Sequence, residues 1–125
     1  MISKKLKFLF QISIPLFIIH GAEEYLSGYT GSIEKIFVPD PRGLFLLFQI
    51  AFVVILLLLA TPCYCNKKTQ LVIMTFVGLI FIFEMIHIVE AFKIGNYYPG
   101  LFTAVFFIPI GFLFWKELLT NFKKL

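Results

Sequence analysis

The stretch "LKFLFQISIPLFIIHGAEEYL", Leu6 to Leu26, decides the fold class. Its apolar part suits lipid, and its length is close to the ~20 residues that an α-helix needs to cross ~30 Å of hydrocarbon. Yet it ends on a histidine and two adjacent glutamates. A second stretch, "FEMIHIVEAF" from Phe83 to Phe92, repeats the combination of lipid-compatible residues with Glu and His. A charge at the centre of a membrane helix costs about 2.5–3.5 kcal/mol, so such residues need a reason to be there.

The rest of the chain agrees with a membrane reading. Of its 125 residues 60% are hydrophobic and 14% charged, and 17 are phenylalanine; a soluble domain carries about 25% charged residues. Three further apolar segments follow, at about 44–61, 71–92 and 101–119. They are separated by the helix-ending clusters "VPDPRG", "TPCYCNKKT" and "KIGNYYPG". The expected fold is all-α, a single four-helix transmembrane bundle. Pro15 and Pro109 fall inside spans, where bilayer helices tolerate a kink. The basic start Lys4, Lys5 and Lys7 resembles a secretory leader. Cleavage after Ala22 would put His20 where a small residue is required, so the segment is expected to stay as a helix.

The net charge is +4. The basic residues flank apolar runs, so they orient spans rather than bind nucleic acid, and no nucleic-acid partner is expected. With four spans, Lys4, Lys5, Lys7, Lys67, Lys68, Lys116, Lys123 and Lys124 fall on one side. Only Lys35, Arg42 and Lys93 fall on the other. This split of eight against three predicts cytoplasmic termini, in the plasma membrane of a prokaryote. Cys63 and Cys65, one residue apart, read as reduced thiols at the membrane edge, with palmitoylation as the weaker alternative. Glu34, Lys35, Asp40 and Arg42 read as solvated loop charges.

At 1.5 Å per residue, His20 and Glu84 both stand roughly 20 Å above the inner ends of their spans, and Glu24 and Glu90 about 27–28 Å. The two acidic stretches therefore share one layer in the outer half of the bilayer. His20, Glu23 and Glu24 have the i, i+3, i+4 spacing of one helix face. Glu84, His87 and Glu90 step by three around the third helix. All six are expected to converge between parallel first and third helices that lie side by side. Four carboxylates with two histidines, including one Glu-x-x-His, are the ligand set of di-iron and di-manganese carboxylate bundles. The expected cofactor is one or two divalent ions, Fe, Mn or Zn, because mixed N/O ligands suit these better than Ca. Two helices supply all six here, where those bundles use four, which leaves one ion as an alternative to two. The other alternative is partial protonation of the glutamates by burial and mutual repulsion.

Tyr25, Gln49, Asn96, Tyr97 and Thr103 border the layer and are candidates to orient the ligands. Tyr98 reads as part of an interfacial aromatic belt, and Gln11, Ser13 and Thr75, in the inner half, as helix-packing groups.

The "HGAEE" of His20 to Glu24 resembles the H-x-x-E-E motif that names a family of small integral-membrane proteins of unknown function. The likeness extends to "HIVEAF" and to "YYPGLFTAVFFIPIG", and so covers the first, third and fourth helices. It implies a multi-pass membrane protein and no established activity. The residues themselves point to a metal-dependent membrane enzyme acting on a lipid-like or other membrane-soluble small molecule. In that reading Glu23, Glu24 or Glu90 serves as the catalytic base. Redox chemistry and hydrolysis both remain open, as does assembly as a homodimer. The alternative function is proton or divalent-cation transport or sensing through the same carboxylates. A conduit needs polar groups across the whole membrane, and the inner half offers only Gln11, Ser13 and Thr75.

Overall fold

The computed structural model describes residues 2–28, 41–60 and 66–125. Among these it has five helical segments: α1 (Lys4–Leu26), α2 (Pro41–Ala60), α3 (Lys67–Phe83), α4 (Ile86–Ile94) and α5 (Leu101–Phe122). With α3 and α4 taken as one rod, four helices are long and apolar enough to cross a membrane. Cys63, Cys65, Glu34, Lys35 and Asp40 lie outside the described residues.

The starts of the helices follow local chemistry. Ser3 caps α1, its hydroxyl accepting from the Leu6 N–H at 3.1 Å, and Asn66 caps α3 by accepting from Thr69 N–H at 2.9 Å. The cap at Asn66 starts the third span at Lys67 rather than near Leu71. The second span opens at Pro41, three residues earlier than its apolar run suggests; proline suits a first helical turn. Helices α1 and α5 continue through Pro15 and Pro109.

The largest departure from the expected spans is the break at Glu84 and Met85. There the i→i−4 ladder gives way to i→i−3 bonds, from Met85 N–H to Ile82 O, His87 N–H to Glu84 O and Ile88 N–H to Met85 O. A tightened turn of this kind inside a long helix often marks a functional position. Here it sits between the Glu and the His of the Glu-x-x-His element.

Side-chain bonds fix the direction of each helix. Ser3 N–H donates to Asn121 Oδ1 at 2.9 Å and Thr103 N–H to Glu23 Oε2 at 2.9 Å, so α1 and α5 are antiparallel. Phe17 meets Phe52 edge-to-face at 5.5 Å while Gln49 reaches Glu24, so α2 also runs against α1. Trp115 Nε1–H donates to Gly78 O at 2.9 Å across α5 and α3. Lys67 Nζ reaches the Lys124 carbonyl, which puts the start of α3 beside the end of α5. The lysine-rich segments near residues 4, 67 and 124 therefore share one end of the bundle.

Helix α5 packs against α1, α3 and α4, and α2 packs against α1. The first and third spans are thus not simple side-by-side neighbours. They meet through long side chains, with α5 packed against both. Phe17, Phe81 and Phe107, one from each of α1, α3 and α5, form a triangle with ring centroids 5.1–5.5 Å apart. The core runs from this triangle toward the lysine-rich end through Phe114, Leu118, Leu71 and Leu6. The outside is apolar: Phe76 is 66% exposed and Phe112 69%. In a soluble protein such a surface would be a large adhesive patch.

Candidate metal centre

Directly above the Phe triangle, α1 contributes His20 and Glu24, one turn apart on its α5-facing side. The broken third rod contributes Glu84, the C-cap of α3, and His87, in the first turn of α4. Each offers one ligand atom, and the four atoms lie within 4.8 Å of one another. His20 Nε2 is 2.9 Å from Glu84 Oε2 and 3.8 Å from Glu24 Oε1. His87 Nε2 is 3.2 Å from Glu24 Oε1 and 3.1 Å from Glu84 Oε2. Four ligands around a tetrahedral ion at ~2.1 Å stand about 3.4 Å apart, and these distances bracket that value. Phe107 closes the floor, its ring 4.9 Å from that of His20.

The outward nitrogens of both rings are held. His87 Nδ1 lies 2.6 Å from the Pro99 carbonyl. A carbonyl only accepts, so this nitrogen carries the proton. His20 Nδ1 lies 2.6 Å from Thr103 Oγ1. That hydroxyl has one proton and stands 2.6 Å from Glu23 Oε2. Donation to the carboxylate is the stronger bond, so the hydroxyl accepts from His20. In its neutral form, each ring would then turn an Nε2 lone pair inward, toward two carboxylate oxygens. Four acceptors face one point, and a cation or added protons must sit among them.

Glu23 is therefore drawn away from the four. Its carboxylate accepts from Phe102 N–H at 3.0 Å, Thr103 N–H at 2.9 Å, the Thr103 hydroxyl and the Tyr97 hydroxyl at 2.9 Å. Helix α5 begins after Gly100, which has no side chain to cap it, and Glu23 satisfies its orphan N–H groups from another helix. Partial burial, together with the Glu23 carboxylate beside it, raises the Tyr97 pKa above the usual phenol value, so the hydroxyl stays a donor. Glu90 is also outside the group, paired with Lys93 one turn on. Of the six expected ligands the structure thus assembles His20, Glu24, Glu84 and His87.

The flanking residues divide similarly. Gln49 donates to Glu24 Oε2 at 3.3 Å, and Thr103 and Tyr97 act as described. Asn96 accepts from its neighbour's N–H, and Tyr25 lies under the Arg42 guanidinium at 5.7 Å. Tyr98, expected in an aromatic belt, approaches the His87 ring at 5.6 Å. Lys93 is engaged by Glu90 and Arg42 by Tyr25.

A family of proteins of unknown function, defined by an HXXEE motif, matches residues 11–114. The chain belongs to this HXXEE family. No curated protein and no solved structure matches it. The geometry separates the three residues that spell the family motif: His20 and Glu24 face the cluster, and Glu23 caps α5 and, through Thr103, sets the proton on His20. The first variable position holds Gly21, against which the Gln49 amide rests; a Cβ there would come within 2.6 Å of Gln49 Oε1.

Two contributors escaped the spacing argument, the Pro99 carbonyl and Gly100. Gly100 has φ +85°, and a Cβ on it would lie 2.8 Å from His20 Cε1, 2.9 Å from His87 Nδ1 and 3.2 Å from Glu24 Cγ. The signal for both is "PG" directly ahead of a helix that has no Ser, Thr, Asp or Asn at its cap.

Proposed function

We propose that this HXXEE protein is a metal-dependent integral-membrane enzyme acting on a membrane-soluble small molecule. One divalent ion is held by His20, Glu24, Glu84 and His87. The observation that carries this reading is the pair of histidines, each with Nδ1 held as a donor and Nε2 aimed at two carboxylate oxygens. Metal-ligating histidines are oriented by outer partners in this way. Two nitrogens and two oxygens suit Zn, Mn or Fe. Such an ion supplies Lewis acidity toward a substrate oxygen or lowers the pKa of water. Glu84, with a side chain 23% exposed against 6% for Glu24, is the carboxylate placed to exchange a proton with substrate. That role moves from Glu23 and Glu90, which are occupied elsewhere.

Transport is less well supported. Below the cluster stands the Phe17–Phe81–Phe107 triangle. The inner-half hydroxyls are spent on their own helices, Ser13 on Phe10 O at 2.6 Å and Thr75 on Leu71 O at 2.8 Å.

Protein purified without chelators and equilibrated with Zn²⁺ or Mn²⁺ should carry about one ion per chain by elemental mass spectrometry. His87→Ala and Glu24→Gln should lose most of it, and Glu90→Gln should keep it. Equal metal content in all three variants would refute the assignment.

The lysine-rich end of the bundle supports cytoplasmic termini, with the cluster toward the opposite leaflet. A reporter that works only in the cytoplasm should be active when fused after Leu125. Activity solely from an exported-type reporter at that position would reverse the orientation.

A further inference from the structure

Glu84 owes its exposure to a cavity of about 370 Å³ between α1, α2 and α3, a size at the lower end for small-molecule sites. Its polar lining, His20, Gln49 and Glu84, is continuous with the cluster, because His20 bonds Glu84 and Gln49 bonds Glu24. Its apolar lining is Phe17, Phe48, Phe52 and Ile80. The order along each helix is the same. Phe17 precedes His20 by one turn on α1, Ile80 precedes Glu84 by one turn on α3, and Phe52 follows Gln49 by one turn on the antiparallel α2. The polar residues therefore form one end of a slot whose apolar walls run toward the middle of the bundle. Phe48, on the rim, is 57% exposed on the apolar outside, so the slot opens sideways rather than toward an aqueous end.

We propose that this slot binds a single-chain amphiphile with a terminal hydroxyl, a long-chain alcohol, drawn sideways from the bilayer. Its oxygen group rests against His20, Gln49 and Glu84, and its chain lies between Phe17, Phe52 and Ile80. This orientation, head outward and tail toward the midplane, is the one such a molecule already holds in a leaflet, so entry needs no inversion. The proposal rests on the enzyme reading above and names its substrate class.

The test uses the full chain in phosphatidylcholine nanodiscs, treated with chelator, and a long-chain fatty alcohol carrying a mid-chain diazirine. Irradiation should label Phe48, Phe52 and Ile80 in preference to the lipid-facing Phe112, although Phe112 is 69% exposed. Unlabelled fatty alcohol should compete, and the alkane of equal length should not. Phe52→Trp, which fills the slot, should reduce slot labelling about tenfold and leave Phe112 labelling unchanged. Phe48→Trp, at the rim and away from the core, should act in the same direction if Phe52→Trp fails to fold. Labelling that simply follows exposure, or equal competition by the alkane, would overturn the proposal. Because no metal is present, this outcome is independent of the metal content that tests the enzyme reading.

Discussion

Gly100→Ala should lower metal affinity at least tenfold and destabilise the protein by about 1–3 kcal/mol. Two effects combine. The residue sits at φ +85°, where a side chain costs roughly 1–2 kcal/mol. The added methyl also meets His20 Cε1 at 2.8 Å and His87 Nδ1 at 2.9 Å. Neither ring can turn away without breaking a bond at Nδ1, to Thr103 or to Pro99 O. The strain is thus directed at the two nitrogen ligands. Gly95→Ala separates the two effects. Gly95 also has positive φ, +63°, but nothing lies within 4 Å of its Cβ position. It should lose stability and keep its metal. Metal titration with thermal unfolding in detergent reads both. Equal metal affinity in the two variants would show that Gly100 does not press on the cluster.

Thr103→Val should weaken metal binding by about 10–100-fold, the usual cost of losing a partner that orients a histidine ligand. Valine keeps the shape of threonine and removes the hydroxyl. The Phe102 and Thr103 N–H bonds to Glu23 survive, so α5 keeps its cap and the fold should hold. Glu23→Gln should act in the same sense through the same hydroxyl. When the amide nitrogen takes the place of Oε2 it donates to the Thr103 hydroxyl, which then donates to His20 Nδ1; the ring proton moves to Nε2 and points into the cluster. Thr103→Ser should retain affinity. Imidazole ¹⁵N shifts of the metal-free protein report the proton at His20 Nδ1 directly: present in the wild type, absent in Glu23→Gln. Unchanged affinity in Thr103→Val would remove the hydroxyl from the account.

These two positions show where a one-dimensional reading reaches its limit. The apolar run lengths and the shared depth of the two acidic stretches bring His20 next to Glu84, and the structure has them 2.9 Å apart across 64 positions. Residue spacing could not separate Glu23 from Glu24. Both lie on the same side of α1 as His20, and only the docking of the α5 N-terminus decides which one caps it. Glu90 is set apart by a different feature. Glu90 stands almost one turn beyond His87 on α4, where its carboxylate pairs with Lys93 instead of joining the four. Pro99 and Gly100 act through a backbone carbonyl and an absent side chain, so their contribution depends wholly on the turn that brings them against the two rings.

X-ray absorption on protein loaded with Zn²⁺ reads the ligand shell itself. Two nitrogen and two oxygen scatterers are expected at about 2.0–2.2 Å, with the outer-shell pattern of two imidazoles, one of which disappears in His20→Ala. An all-oxygen shell with no imidazole scattering, unchanged in His20→Ala, would contradict the assignment.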